Sequence, residues 1–480
     1  MFSIPIFQNV YITSSRFLVR YTRSLFSDNH YRVGIVGSGP AGFYTAQRLL
    51  KLNSNVRVDI IERLPTPFGL VRYGVAPDHP EVKNVITNFT NLLKDTRCRF
   101  YGNISVGTDI SLSQLFTYYS AIVLAYGADS DRKLEIPGEN AKGFLSARRF
   151  VGWYNGLPED VSLDVDLSSQ TAVIIGQGNV AIDVARILLT PTEQLEKTDI
   201  CNHALLALRE SKIQRVVLVG RRGPLQVAFT IKELRELLKL KQITTLLTKE
   251  DHDFLEPIIS TLPRGRKRLI ELLYKTSRQS LHTETSNKCL EISYLRSPTI
   301  INTNTEGKIN SITFEVNKLQ DHNSINTKAI GTGVYETIEC GIAFRSIGYK
   351  SIPILESVPF DNIKHVIPNE RGKVTHLDGT LYKGLYCSGW IKRGPVGVIA
   401  STMNDAYETA ERVHEDLTAD TLQSFNTDFK LSDLIPEGHR MVNYTDWSSL
   451  DTEEVSRGGE SKPREKITSI QEMIRIMNNK

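Results

Sequence analysis

No two of the five cysteines, Cys98, Cys201, Cys289, Cys340 and Cys387, are close enough to form C-x-x-C or C-x-x-x-x-C. That spacing argues against a disulfide framework, a zinc site, an iron–sulfur cluster and a redox dithiol, and fits isolated thiols in a reducing compartment. The chain has no run of about 18 apolar residues, so a membrane-spanning helix is not expected. A net charge of only +4 gives no case for a nucleic-acid-binding protein and makes any functional basicity a local matter. With 480 residues and 40% apolar content, the chain is too long for one simple core and implies two or three lobes.

Acids are also scarce at the N-terminus. Asp28 is the one acidic residue in the first 30, against Arg16, Arg20, Arg23 and several Ser and Thr. Arg-bearing, hydroxyl-rich and acid-poor is the composition of a mitochondrial transit peptide, so residues 1–30 are expected to be targeting sequence. Their removal would leave a net charge of about +2.

What the chain does contain is two phosphate loops. "YRVGIVGSGPAGFYTAQRLLK" predicts a short buried strand, then Gly37, Gly39 and Gly42 as G-x-G-x-x-G, then an amphipathic helix. The first glycine permits the tight turn, the second lets backbone approach a pyrophosphate, and the third lets helix and strand pack closely. The helix N-terminus offers free N–H groups to the phosphates. "VRVDIIER" follows as a second strand ending in Glu62, whose carboxylate suits the hydroxyls of a bare ribose, as in FAD. "TAVIIGQGNVAIDVARIL" repeats the pattern with Gly176, Gly178 and Ala181, and "RVVLVGRRGP" supplies its next strand. That strand ends in Arg221 and Arg222 instead of an acid. Guanidinium groups fork onto a 2′-phosphate that a carboxylate would repel, so the second loop reads as NADPH-binding. Two dinucleotides in one chain are usually a flavin and a nicotinamide, one passing hydride to the other.

The expected fold is therefore α/β: two Rossmann-like dinucleotide-binding domains, with the NADP domain inserted in the FAD domain. Residues 31–130 and 349–480 form the FAD part, and 131–348 the NADP part. "AIVLAYGAD" (121–129) is expected to be a strand ending at Gly127 before the crossing, and 337–350 the return strand. Residues 384–406 predict a strand, a Gly/Pro loop and a helix starting near Gly397, its positive end toward the cofactor ring. The polar, Asn-rich 302–333 is expected to be a β-ribbon with a loose surface loop, and 446–462 an exposed crossing segment.

Six stretches, "GSGPAGFYTAQ", "PFGLVRYGVAPDHPEVKNV", "GQGNVAIDVARILL", "GRRGPLQVAFTIKELREL", "GWIKRGPVGVIASTM" and "KPREKITSIQEMIRI", resemble the adrenodoxin reductase family of mitochondrial NADPH–ferredoxin reductases. The resemblance covers nearly the whole chain from Tyr31. It implies FAD contacts at Ala41, Glu62, Leu70, Val106, Trp390, Gly397, Val398 and Ile399. It implies NADPH contacts at Gln177, Gly178, Asn179, Val180, Arg221, Arg222, Glu233 and Gly397. It further implies hydride transfer from NADPH to FAD, then single electrons to a small acidic [2Fe–2S] ferredoxin in the mitochondrial matrix, with peripheral inner-membrane association left open. Members of the family feed iron–sulfur assembly and ferredoxin-dependent hydroxylases. No side chain is expected to act as general acid or nucleophile, and no metal ligand set is expected; His79 in "APDHP" reads equally well as a proton relay or as a structural residue. "LPRGRKRLIELLYK" concentrates Arg264, Arg266, Lys267 and Arg268, with Arg235 and Lys239 nearby, as a docking patch for the acidic partner. Three rivals remain in view. A thioredoxin-reductase-like dithiol enzyme lacks its cysteine pair, a glutamate-synthase input subunit lacks its cluster segment, and a non-enzymatic FAD/NADP-binding redox scaffold would bind both cofactors without turnover.

Overall fold

The computed structural model describes residues 31–240, 243–279, 288–423 and 430–479. The targeting sequence expected at 1–30 lies outside the described residues. Two sheets dominate. The larger has seven strands in the order Asn369–Glu370, Lys373–Thr375, Leu381–Cys387, Ala121–Leu124, Tyr31–Val36, Val56–Ile61, Cys98–Tyr101. Its strands are parallel from Leu381–Cys387 onward, with an antiparallel pair of short strands at the other edge. The second is a six-stranded parallel sheet: Phe144–Ser146, Ile342–Arg345, Thr171–Ile175, Arg215–Val219, Lys288–Ser293, Ile243–Leu246.

Both sheets are covered on both faces, which explains why their strands read as unbroken apolar runs. In "RVVLV", Val216 and Leu218 enter the core beneath the helices. Val217 and Val219 enter a separate core with Ile301, Ile312 and Phe314. That second core is roofed by a three-stranded antiparallel sheet, Arg296–Thr303, Ile309–Leu319 and Ala329–Glu339. The expected ribbon at 302–333 is thus part of a larger sheet. The expected single strand at 337–350 is three pieces: the end of that roof, the core strand Ile342–Arg345, and Tyr349–Lys350. Gly348, at φ 101°, breaks the run. The 121–129 strand stops at Leu124, three residues short of Gly127.

Tyr349–Lys350 pairs antiparallel with Ser130–Asp131, so both chain crossings between the sheets run through one two-stranded ribbon. Elsewhere the C-terminal segment bridges the sheets. Lys466 reaches Asp199 (3.0 Å), which also holds Lys83 from the first lobe at 2.6 Å. Lys462 donates to the carbonyl of Ile200 at 2.7 Å. Burial alone would raise the Asp199 carboxyl, but Lys466 and Lys83 outweigh it and hold it well below the usual range. Residues 446–462 are not an exposed crossing segment. Most of them form the Tyr444–Gly458 helix, capped by Asn443 and Asp446 and burying Trp447, Leu450 and Glu454.

Candidate dinucleotide sites

At the first loop, Gly37 takes φ 109°, and a Cβ there would fall 2.6 Å from the carbonyl oxygen of Ala125. A Cβ on Gly42 would fall 2.1 Å from the Gly37 carbonyl, so only glycine lets the helix pack this closely. A Cβ on Gly39 would meet nothing within 4 Å, so the space beside this glycine is open. The helix Pro40–Leu52 begins with no side-chain cap, leaving its first N–H groups free. Glu62 fixes the loop, accepting from the backbone N–H (2.9 Å) and hydroxyl (2.7 Å) of Ser38 and from Leu64 N–H (3.1 Å).

Other predicted residues gather around this loop. Gly69, next to Leu70, approaches Gly39, and Leu70 is 40% exposed beside it. Gly389, next to Trp390, sits against Ala41, where a Cβ would fall 2.5 Å from the Ala41 methyl. Trp390 stacks on Tyr349 of the crossing ribbon at 5.6 Å. Buried Lys392 ties that turn to the Ile399–Thr418 helix through Asp405 (3.1 Å) and Glu408 (2.8 Å). Gly397 (φ 91°) and Val398 lead into this helix, which again starts without a side-chain cap. Val106 is more remote. It is buried in a turn near Ile104, whose N–H donates to the Glu62 carbonyl.

The second loop repeats the geometry. Gly176 takes φ 131° with the Ser346 carbonyl 2.1 Å from any added Cβ, and a Cβ on Gly178 would meet nothing. Ala181 occupies the third position fully buried, and the Asn179–Leu189 helix starts uncapped ahead of Val180. By contrast, the helices after Ser146, Thr230 and Ser469 are capped by those side chains. Gln177 is held by its neighbours: its carbonyl accepts from Ala228 and Phe229, and its amide donates to the Ser293 carbonyl at 3.0 Å. Asn179 accepts from the Thr230 N–H at 2.8 Å. Arg221 and Arg222 close the Arg215–Val219 strand, their carbonyls held by Asn317 (2.9 Å) and the Leu295 N–H (3.2 Å). Among the described residues neither guanidinium has a carboxylate partner. Burial and the neighbouring Arg221 charge push Arg222 down. Unneutralised paired cations suit a dianion.

Glu233 stands apart from this loop, in a cluster that spans the two lobes. Arg186, 3% exposed, binds Asp78 at 2.5 Å and Asp183 at 2.7 Å, with Glu233 at 3.5 Å. His79 contacts Glu236 at 2.7 Å and Glu233 at 3.9 Å. His79, Asp183 and Glu233 stand close enough to share a cation, and the guanidinium of Arg186 already faces both carboxylates. Asp78, Asp183, Arg186 and Glu236 went unread in the sequence. The signal available was Asp183 and Arg186, a charged i,i+3 pair inside an otherwise apolar helix. Burial first, then the Asp183 charge, raises Glu233 above its ordinary value of 4.5. Between that value and the raised one, the unfolded chain has lost the proton while the folded chain keeps it, so stability falls as pH rises. Glu233→Gln should remove this slope and leave stability at neutral pH unchanged or higher by up to about 1 kcal/mol. Melting curves across the acidic range check it; a clear loss of stability in the variant would contradict it.

The expected docking patch divides. Arg264 and Arg268 are exposed on the Arg264–Arg278 helix, and Arg235 and Lys239 are exposed on and just after Ile231–Leu238. Arg266 turns inward and donates to the Val227 carbonyl at 2.6 Å. The cysteines do not suit redox chemistry: burial pushes the Cys201 thiol up to about 11 and those of Cys98 and Cys340 up to about 12.

Residues 31–236 match the family described as pyridine nucleotide-disulphide oxidoreductase. The chain is 49% identical over 459 residues to NADPH:adrenodoxin oxidoreductase, mitochondrial, of Homo sapiens, covering 93% of this chain and 92% of that one. It is 43% identical over 488 residues to the Arabidopsis thaliana protein of the same name, covering 97% and 100%. Among solved structures, FprA from Mycobacterium tuberculosis in complex with NADPH superposes with a TM-score of 0.87 at 37% identity, covering 94% of this chain and 100% of that one.

Proposed function

The chain belongs to the NADPH:adrenodoxin oxidoreductase family, and from that premise we propose that it takes hydride from NADPH onto FAD and passes electrons singly to an acidic [2Fe–2S] ferredoxin in the mitochondrial matrix. The observation that carries this reading is the contrast between two otherwise matching loops, one closed by Glu62 and the other by Arg221 and Arg222. We assign residues 31–130 and 349–480 to the FAD lobe and 131–348 to the NADP lobe. Pairing of Ser130–Asp131 with Tyr349–Lys350 supports placing both boundaries at the ribbon.

Bound FAD supplies a ring that accepts hydride and releases electrons one at a time. The protein's part is to hold and orient. Gly39 and Gly178 admit the pyrophosphates, Ala41 and Leu70 line the first loop, and Trp390 with Gly397, Val398 and Ile399 present the uncapped helix start to the ring. Arg221 and Arg222 receive the 2′-phosphate, and Gln177, Asn179 and Val180 shape the loop beneath it. Glu233, which faces Arg186 and His79 between the lobes, positions the nicotinamide end. This geometry supplies orientation and water exclusion. Electrons must leave the chain, because it offers no thiol pair to receive them.

Arg264, Arg268, Arg235 and Lys239 form the cationic face toward the partner. Among the described residues no helix is long and apolar enough to cross a membrane. Reversing Arg264 and Arg268 to Glu should keep NADPH–ferricyanide activity and cut ferredoxin reduction about tenfold or more, with the deficit shrinking at high salt. Equal loss of both activities would refute the docking face.

A further inference from the structure

The Arg264–Arg278 helix opens with four cations, and they do not share a role. Arg264 and Arg268, four residues apart, lie on one exposed face. Arg266, two residues from each, faces the opposite way and is half-buried. One of its nitrogens donates to the Val227 carbonyl at 2.6 Å. Val227 ends the turn Pro224–Gln226 that follows directly on Arg221 and Arg222. That turn is fixed: Gly223 N–H donates to the Gln226 side chain at 3.0 Å, and Gln226 donates to the Ser324 carbonyl at 2.7 Å. Arg266 is thereby seated on the turn that follows Arg221 and Arg222, and the next two N–H groups of that turn, those of Ala228 and Phe229, donate to the carbonyl of Gln177 in the second loop. Burial and the Arg222 charge together push Arg266 down. Among the described residues no carboxylate pairs with Arg221, Arg222 or Arg266.

Three cations are thus gathered on one strand end and the turn that follows it. A neutral carbonyl uses one of the five N–H donors of Arg266 and none of its charge. Structural needs alone would be met by any donor; a half-buried cation with no carboxylate beside it asks for a partner of opposite sign. We propose that Arg266 is a third cationic ligand of the NADPH 2′-phosphate, a specificity-determining residue contributed by a helix distant in sequence from the phosphate loop. The proposal rests on the reading that Arg221 and Arg222 receive that phosphate. It also removes Arg266 from the ferredoxin face.

The test is equilibrium binding to the FAD-loaded protein, with 2′,5′-ADP and 5′-ADP as probes in titration calorimetry. Arg266→Met should weaken 2′,5′-ADP about tenfold and leave 5′-ADP within about twofold, because only the first carries the phosphate. Arg266→Lys, which keeps the charge and loses the fork, should fall between wild type and Arg266→Met. Equal weakening of both probes would make Arg266 a prop for the turn and overturn the proposal. Unchanged 2′,5′-ADP affinity, with or without weaker ferredoxin binding, would overturn it too. Arg221→Glu run alongside separates the two levels. If it loses 2′,5′-ADP while Arg266→Met does not, the third ligand fails alone; if neither discriminates, the 2′-phosphate reading itself fails.

Discussion

Reversing Arg221 and Arg222 to Glu together is expected to lower the preference for NADPH over NADH about a thousandfold or more. Each charge-assisted bond to the phosphate contributes about 1.5–3 kcal/mol, and the new carboxylates add repulsion. Two lost bonds alone amount to about 3–6 kcal/mol, and every 1.4 kcal/mol is tenfold. The effect should fall on one coenzyme. NADH lacks the phosphate, so its kcat/KM should change by no more than about threefold. FAD content should hold, because the first loop and Glu62 lie in the other lobe. Ferricyanide reduction with each coenzyme gives the ratio. A variant that still chose NADPH would remove the basis for assigning the second loop.

The largest expected effect on stability comes from Glu454. Its carboxylate is 0% exposed, and it binds Arg72, 3% exposed, at 2.5 Å. It also accepts the Ile467 N–H at 3.0 Å, and Arg72 lies over the rings of Tyr73 and Trp447 at 5.0 and 5.1 Å. Glu454→Gln strands a guanidinium in the core. Removing one partner of a buried pair costs about 3–5 kcal/mol, much of it the cost of the charge left behind. The double variant Arg72→Met, Glu454→Gln removes both charges, keeps an acceptor for the Ile467 N–H and should recover most of that loss. Denaturation followed by release of flavin fluorescence measures the first lobe directly. If Glu454→Gln unfolds at the wild-type denaturant concentration, the pair contributes nothing to the fold.

Two segments depart from expectation for separate reasons. The 446–462 stretch is polar enough to suggest an exposed connection, yet Trp447, Leu450, Glu454 and Gly458 recur at helical spacing and face inward. One of those inward positions is an acid, and composition counts it as surface. Nothing nearby in sequence announces Arg72, which makes that burial tolerable. At 337–350, one stretch of sequence runs on across three elements, of which only Ile342–Arg345 lies largely in the core. Only the positive φ of Gly348 and the separate pairings divide them.

By themselves the residues determined both phosphate loops, the strand–helix order around them and the opposite charges at Glu62 and Arg221–Arg222. Those features are set within a few consecutive positions by backbone sterics and by which end of a strand a side chain occupies. The tertiary structure alone decided which distant charges meet: Arg186 with Asp78, Lys83 and Lys466 with Asp199, Arg72 with Glu454. A charge acquires its partner only when helices and lobes dock. The direction it then faces depends on rotation about a helix axis, where two residues' separation turns a side chain from solvent to core.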